Sequence, residues 1–284
     1  MRIQHFFDER TSTLTYLVWD EDSRQAVLID PVLDFDPASG RTWYESAERV
    51  GDAIRKEGLD LAWALDTHPH ADHLSSLPWF QEEFGARTGI GKGITRVQET
   101  WKEIFHLPED FPTDGRQWDL LLEDGQILEA GPLKVEALLT EGHTPASMSY
   151  RIGDALFVGD LLFMPDSGTA RTDFPGGDAG QMYDSVQRLY RLPDATRVFT
   201  CHDYQPGGRE LRFQSTVGEE KKENIHIHEG VSREEFIALR RRLEDGKPLP
   251  KLLFPSVQVN IRGGRLPEPE ANGVAYLKIP LNRF

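Results

Sequence analysis

The segment Thr67-His68-Pro69-His70-Ala71-Asp72-His73 places three histidines and one aspartate within seven residues. Neutral imidazole and carboxylate groups are the ligands that bind borderline divalent metals such as zinc and iron. In an extended chain, side chains two residues apart point the same way, so His68 and His70 can reach one point. Asp72 and His73 follow where the chain turns, and they can approach from another side. A helix cap at Asp72 would explain the aspartate but not the three histidines, so the segment predicts a metal site.

A second pattern recurs along the chain: an apolar strand ends at a histidine or an aspartate. Residues 59–65 form a short apolar run, typical of a buried strand, that leads directly into the histidine segment. Similar runs lead to Asp30, His143, Asp160 and His202. Strand ends on one rim of a sheet bring such residues together even when they are far apart in the sequence. We therefore expect these side chains to gather at one site.

The composition narrows the class of protein and of partner. A chain of 284 residues can hold one large α/β domain or two small ones, and 38% hydrophobic with 28% charged residues suits a soluble globular protein. A formal net charge of −15 argues against nucleic acid or an anionic membrane as partner, because both favour clustered Lys and Arg. A small anionic substrate stays compatible, since it needs only one or two local cations.

The compartment is also indicated by the sequence. No apolar stretch approaches the roughly 18 residues that span a bilayer, and the N-terminus lacks the regions of a signal peptide. Cys201 is the single cysteine, which rules out a disulfide within the chain and fits a reducing cytoplasm. We expect a cytoplasmic protein without membrane contact, and we interpret Cys201 as an inert, buried, small hydrophobe.

Helix and loop signals outline the remaining organisation. Residues 43–57 have helical spacing and end at Gly58, whereas residues 216–219 and 232–235 look like capping boxes that start two further helices. After Gly246 the chain is rich in proline and glycine, but it shows no repeat and no long linker. We therefore expect the C-terminal part to pack onto the main body. His226 and His228 alternate like a metal pair, yet they lack carboxylate partners, so we interpret them as part of a solvated segment.

Four motifs in this order resemble the metallo-β-lactamase superfamily. They are residues 67–73, Gly142-His143-Thr144, Gly159-Asp160 and the late His202. The resemblance implies an α/β fold, an αββα sandwich, with the metal site at one edge of the paired sheets. It assigns to Asp30 the structural support of the metal loop. The match covers residues 1–228, which predicts a catalytic domain there and a C-terminal extension, residues 229–284, packed on it.

A narrower resemblance is to the persulfide dioxygenases, also called sulfur dioxygenases. It rests on residues 170–178, on His202-Asp203-Tyr204 and on residues 215–220. Residues 255–260 and 276–282 are similar to a longer bacterial subgroup, often labelled β-lactamase-like hydrolases. Residues 167–170 depart from the Gly-Cys-Gly that precedes the corresponding stretch in shorter members.

This narrower resemblance implies one Fe(II) per chain, held by His68, His143 and Asp160. Such a facial triad fills three of six octahedral positions and leaves three open. The implied activity is oxidation of glutathione persulfide, or a similar low-molecular-weight persulfide, with O2 and water to sulfite and the free thiol. The other polar residues would then orient the ligands and move protons. They are His70, Asp72, His73 and His202.

The hydrolase branch of the superfamily offers the main alternative, a dinuclear zinc enzyme of the glyoxalase II type that cleaves a thioester. In it, one zinc is bound by His68, His70 and His143, and the other by Asp72, His73 and His202, with Asp160 bridging. The four motifs do not separate the branches; the stretch from residue 171 to 178 and the C-terminal match favour the dioxygenase. A binding or scaffold protein without activity is disfavoured because the ligand set is complete.

Two residues are candidates for substrate contact. Arg171 could hold a carboxylate of glutathione, because a guanidinium pairs bidentately with carboxylates; an ordinary surface salt bridge is the alternative. Tyr204 could donate a hydrogen bond at the mouth of the site, or could simply be a packed aromatic. The sequence also leaves open whether the C-terminal segment covers the site or forms the interface of a homodimer.

Overall fold

The computed structural model describes residues 1–284 and contains fifteen strands and seven helices. The strands are β1 (Arg2–Asp8), β2 (Thr13–Trp19), β3 (Gln25–Ile29), β4 (Val32–Asp36), β5 (Arg41–Trp43), β6 (Asp60–Leu65), β7 (Leu74–Ser75), β8 (Arg87–Gly91), β9 (Leu120–Leu122), β10 (Ile127–Ala130), β11 (Leu133–Leu139), β12 (Met148–Ile152), β13 (Ala155–Phe157), β14 (Arg197–Phe199) and β15 (Gln214–Thr216). The helices are α1 (Glu45–Glu57), α2 (Leu77–Phe84), α3 (Ile94–Ile104), α4 (Ala179–Leu189), α5 (Val217–Glu223), α6 (Arg233–Glu244) and α7 (Leu253–Asn260). None of these helices combines the length and the hydrophobicity needed to cross a bilayer.

Two six-stranded sheets form the centre of the molecule. The first has the strand order β1-β2-β3-β6-β8-β9, and the second has the order β10-β11-β12-β13-β14-β15. Pairing is parallel between β3 and β6, between β6 and β8, between β8 and β9, and between β13 and β14. The other pairs in these two sheets are antiparallel. Strands β5, β4 and β7 make a small third sheet. It lies beside the metal loop, which comprises residues 67–73.

Side-chain alternation in β2 explains why the two sheets stack. Leu14, Tyr16 and Val18 point into a core shared with the second sheet, whereas Leu17 and Trp19 point to the opposite side. Both faces of this strand are buried, so its sequence is apolar except for Thr13 and Thr15.

Helices cover the outer face of each sheet. On the first sheet, α1, α2, α3 and α7 contribute to one hydrophobic cluster; on the second, α4, α5 and α6 contribute to another. Helix, sheet, sheet and helix therefore form four layers, and the predicted αββα sandwich is confirmed. Helix α1 begins at Glu45, two residues later than predicted, because Trp43 pairs with Asp34 at the end of a short strand.

The ends of five strands lie at one edge of the sandwich. Strands β3 and β6 run in parallel and end at Asp30 and at the metal loop. In the second sheet, β13 and β14 are parallel, and β11 has the same direction because β12 is antiparallel to both β11 and β13. Their ends lead to His143, Asp160 and His202. This topology brings residues more than a hundred positions apart to one place.

The C-terminal segment packs on both outer layers. Phe236 of α6 belongs to the cluster that covers the second sheet, whereas Leu253 and Val257 of α7 belong to the one that covers the first. Helix α6 begins with the capping box that Ser232 and Glu235 predict. The division of the chain at residue 228 stays a prediction.

His226 is the histidine for which the sequence interpretation is wrong. Its Nδ1 accepts a hydrogen bond of 2.9 Å from the backbone N–H of Thr169, and its ring is half-buried, whereas His228 is exposed as expected. The loop that carries Thr169 folds over the His226 ring, a contact between segments 57 residues apart that local polarity does not reveal. Burial lowers the pKa of His226 to about 4, so the ring is neutral in the folded protein.

This buried histidine should make the fold sensitive to acid. As pH falls from about 6.5 through 4, the unfolded chain takes up a proton that folded His226 cannot accept, so stability falls. Allowing for partial exposure, the loss is on the order of 1–2 kcal/mol. In His226→Asn the amide oxygen accepts the same hydrogen bond without titrating. Urea unfolding above and below this pH window should therefore show a weaker pH dependence than in wild type. His228→Asn is the matched control and should behave as wild type; an unchanged slope in His226→Asn would contradict the assignment.

Candidate metal centre

The first group at the common edge consists of His68, His143 and Asp160. The Nε2 atoms of His68 and His143 lie 3.9 and 3.6 Å from Oδ2 of Asp160. All three donor atoms lie within 4.8 Å of one another. Because metal bonds to such atoms are about 2.0–2.2 Å long, this spacing suits a shared ion. The three residues come from three different strand ends, as the recurring pattern predicts.

A second group lies beside the first. Donor atoms of His70, Asp72 and His73 also lie within 4.8 Å of one another. Nε2 of His202 is 3.0 Å from Oδ2 of Asp72 and 3.4 Å from Oδ1 of Asp160. Asp160 thus faces both groups with different oxygens. The arrangement has room for one ion in the first group or for a pair of ions that share Asp160.

Three imidazole nitrogens of the two groups are buried and have no hydrogen-bond partner in the protein: His68 Nε2, His70 Nδ1 and His73 Nε2. His202 Nε2, Asp72 Oδ2 and Asp160 Oδ1 are buried as well and lie in contact with one another. A buried polar atom without a partner costs about 1–3 kcal/mol. A metal ion would satisfy several of these atoms at once, so the residues present fit a metal site.

The outward nitrogens of the histidines are held by the protein. His143 Nδ1 donates to the carbonyl oxygen of Arg171 at 2.7 Å, His202 Nδ1 to that of Ser12 at 3.2 Å, and His73 Nδ1 to that of Leu74 at 3.1 Å. A carbonyl only accepts, so each of these Nδ1 atoms carries a proton, and in the neutral ring the lone pair of Nε2 points inward. The backbone therefore selects the tautomer that binds metal.

Asp30 lies behind the metal loop. Its carboxylate accepts hydrogen bonds from the backbone N–H of Thr67 at 2.6 Å and from the Thr67 hydroxyl at 2.9 Å, and it contacts His70 Nε2 at 3.0 Å. Burial raises the pKa of Asp30 to about 6 although the bonds from Thr67 oppose this. The contact leaves Nδ1 of His70 free to face the centre.

Charges differ between the two groups. Burial lowers the pKa of His68 and His70 well below its ordinary value, so both rings are neutral and able to bind metal. Although burial opposes it, the carboxylates of Asp72 and Asp160 raise the pKa of His202 to about 10. Without metal, a proton is therefore held at His202, between two carboxylates. Binding of an ion at the second group would displace this proton.

A cavity of about 780 Å³ opens above the centre. His143, Asp72 and Asp160 lie among its lining residues, and its walls carry five aromatic side chains and four cations. The aromatics are Phe35, Trp43, Phe163, Phe174 and Tyr204, and the cations are Arg10, Arg171, Lys247 and Lys251. The ring of Tyr204 is stacked on His202 at 5.7 Å and is more than half exposed. The cavity therefore combines apolar surface with four cations and with the carboxylates of Asp36, Asp72 and Asp160.

Arg171 lies in the cavity wall, but its guanidinium is already occupied. It forms a bidentate pair with Asp173 at 2.6 and 2.7 Å and donates to the carbonyl oxygen of Pro248 at 2.9 Å. It also stacks over the ring of Phe174. These contacts fix the cavity wall next to His143. They leave few N–H donors of the guanidinium free for a substrate carboxylate.

Sequence reasoning missed the cavity cations at the two ends of the chain. Lys247 and Lys251 come from the proline-rich C-terminal segment, and Arg10 comes from the turn after β1. Nothing in their local sequence indicates a site, because only the fold brings them to the cavity. Only the composition gave a signal. Lys and Arg are outnumbered by Asp and Glu in a chain of net charge −15, so a cation close to a metal site is a candidate for contact with an anionic substrate. Cys201, in contrast, is buried, and burial raises the pKa of its thiol well above the ordinary value.

Comparison with known proteins supports this description. The family model of the metallo-beta-lactamase superfamily matches residues 8–202. A beta-lactamase hydrolase-like protein of Xylella fastidiosa is 50% identical over 99% of the chain, which spans 65% of that protein's length. The mitochondrial persulfide dioxygenase ETHE1 of Bos taurus is 32% identical, over 92% of this chain and 88% of that protein.

The structural comparison agrees. The crystal structure of ETHE1 from Myxococcus xanthus superposes with a TM-score of 0.75 at 34% identity, covering 93% of this chain and all of that one. Family match, fold and the cluster of histidine and aspartate donors agree with one another. The chain therefore belongs to the metallo-β-lactamase superfamily of metal-binding enzymes, and the persulfide dioxygenases and the bacterial β-lactamase hydrolase-like proteins are its relatives.

Proposed function

We propose that this protein is an iron(II)-dependent persulfide dioxygenase. The balanced reaction is RSSH + O2 + H2O → RSH + sulfite + 2 H⁺, in which the outer sulfur loses four electrons and dioxygen gains them. The observation that carries the proposal is the group of His68, His143 and Asp160 at the floor of a wide cavity. Two histidines and one carboxylate are typical of non-haem iron oxygenases. The persulfide dioxygenase relatives support the same assignment.

The roles of the protein groups follow from their positions. His68, His143 and Asp160 would hold the iron, which when bound supplies the electron transfer that joins sulfur and dioxygen. His202, whose Nε2 lies 3.0 Å from Asp72, holds a proton next to Asp160. Phe163 and Phe174 line the cavity beside these groups and limit access of bulk water. The side chains of the cavity wall would orient the persulfide.

The cavity suits a small anionic thiol such as glutathione persulfide. A volume of about 780 Å³ lies in the range of small-molecule sites and exceeds what a bare persulfide anion needs. Lys247 and Lys251 line the cavity as exposed residues, and their ammonium groups can pair with carboxylates. We propose dioxygen and such a thiol persulfide as the partners, with no nucleic acid and no membrane, in the cytoplasm.

A dinuclear zinc hydrolase is the second candidate. Its support is the second group, because His70, Asp72, His73 and His202 lie next to the first group and include partnerless donor atoms. The name of the Xylella relative also points to hydrolysis. In this arrangement two ions would share Asp160, and a thioester would be the substrate.

Metal content together with oxygen uptake separates the two candidates. The dioxygenase is expected to contain about one iron per chain, to consume dioxygen when glutathione persulfide is added, and to release sulfite. Metal analysis and an oxygen electrode are sufficient for the test. Two zinc ions per chain, thioester cleavage and no oxygen uptake would refute the proposal.

The two groups of ligands should respond differently to mutation. With a single iron, His68→Ala should abolish iron binding, whereas His202→Ala should retain most of the iron and lose turnover, because His202 then holds a proton rather than the ion. Iron stoichiometry after anaerobic reconstitution measures both variants. Equal loss of metal in both would instead favour the dinuclear site.

Removal of a cavity cation should weaken substrate binding. Lys251→Met is expected to raise KM roughly three- to tenfold with little change in kcat, since a partly exposed charge-assisted contact is lost. Steady-state kinetics with glutathione persulfide provides the measurement. Lys134→Met, at an exposed position of β11 that does not line the cavity, is the control. An unchanged KM in Lys251→Met would remove this lysine from the substrate site.

A further inference from the structure

The side chain of Asn260 makes hydrogen bonds to the metal loop with all of its polar atoms. Its Nδ2 donates to the carbonyl oxygens of His70 and His73, both at 2.8 Å, and its Oδ1 accepts from the backbone N–H of Ser75 at 2.8 Å. Asn260 is the last residue of α7 and is almost completely buried. A residue of the C-terminal segment thus contacts the loop 185–190 positions earlier in the sequence.

We propose that Asn260 is a positioning residue for the metal centre, which sets the backbone of residues 70–75 so that His70, Asp72 and His73 point at the site. The inference rests on the proposed metal centre but not on which metal or reaction it serves. The carbonyls of His70 and His73 lie outside any helix or strand, where a buried backbone oxygen needs a partner from elsewhere. Asn260 supplies that partner to both ends of the loop at once.

The chemistry of the loop selects an asparagine. Two carbonyl oxygens need two donors, and the N–H of Ser75 needs one acceptor; a side-chain amide offers this set on one rigid plane. An aspartate of the same shape would place an oxygen against two carbonyl oxygens. A leucine would leave all three backbone groups buried without a partner, the costly situation for polar groups.

The helix that carries Asn260 is itself fixed. Leu253 and Val257 pack in the core of the first sheet. Val259 packs against Leu74, the first residue of β7. Just after the helix, Gly264 has φ +83° and lies so close to β7 that a Cβ there would be 2.5 Å from the carbonyl oxygen of Ser75. The position of Asn260 is therefore set by the packing of its helix in the core as well as by its own hydrogen bonds.

Gln258 provides a matched control in the same helix. It is equally buried, its Nε2 donates to the carbonyl oxygens of Phe254 and Lys278, and its Oε1 accepts from the N–H of Lys278, each at 2.8 Å. Gln258 thus makes the same number of bonds with the same group, but to its own helix and the C-terminal tail. Asn260→Asp and Gln258→Glu each replace an amide nitrogen by oxygen.

The test compares these two variants in two measurements that need no turnover. The first is affinity for Zn²⁺ and, anaerobically, for Fe²⁺, by competition with a chelator; the second is amide hydrogen exchange in the metal-free protein. Asn260→Asp should weaken metal binding roughly 10–100-fold, the usual effect of losing a group that orients ligands, and should speed exchange in residues 70–75. Gln258→Glu should speed exchange only around residue 278 and leave metal affinity within about twofold of wild type.

Two outcomes would overturn the proposal: wild-type affinity and exchange in Asn260→Asp, or equal losses in both variants, which would indicate general destabilisation. If Asn260→Asp does not fold, Asn260→Ser keeps one donor and one acceptor and should show a smaller loss of affinity in the same direction; wild-type affinity in that variant overturns the proposal as well. Wild-type protein without oxygen uptake would refute the dioxygenase, yet the comparison of Asn260 with Gln258 would stand.

Discussion

Buried imidazole nitrogens without a hydrogen-bond partner lie beside buried carboxylates at one edge of the two sheets. Much of the surrounding structure holds these side chains in place. The strand ends deliver the side chains, the backbone carbonyls of Ser12, Leu74 and Arg171 fix the imidazole tautomers, and Asp30 ties the loop from behind. Such an arrangement is unfavourable without an ion, because partnerless buried polar groups destabilise a fold. The metal is therefore part of the stability of this edge as well as of its chemistry.

Local sequence patterns predict the parts of this site that depend on local structure. An apolar strand that ends at a histidine or an aspartate is visible in a single segment, so the sequence alone assigns His68, His143, Asp160 and His202 to one site. Contacts between distant segments have no such local signal. The Arg171 guanidinium donates to the carbonyl oxygen of Pro248, 77 residues later in the chain, and no periodicity in either segment indicates this. Asn260 had a weak signal, a polar residue among apolar ones at the end of a helix, but the loop it holds could not be inferred from that.

The C-terminal segment contributes to two sides of the site. From α7, Asn260 holds the metal loop; from α6, Glu244 accepts a hydrogen bond of 2.6 Å from the backbone N–H of Thr172 and pairs with the buried Arg240 at 2.7 Å. Thr172 follows Arg171, whose carbonyl oxygen orients His143. The extension therefore fixes the backbone behind ligands of both groups, and it supplies Lys247 and Lys251 to the cavity.

The two groups of ligands differ in what can satisfy them. In the first group, burial lowers the pKa of His68 well below its ordinary value, so this ring is neutral beside Asp160. In the second group, His202 carries a proton between Asp72 and Asp160, which neutralises part of the carboxylate charge without any ion. The second group can therefore accept either a proton or a second ion. A second ion has to displace a proton that two carboxylates hold, so binding of that ion releases the proton and weakens as pH falls.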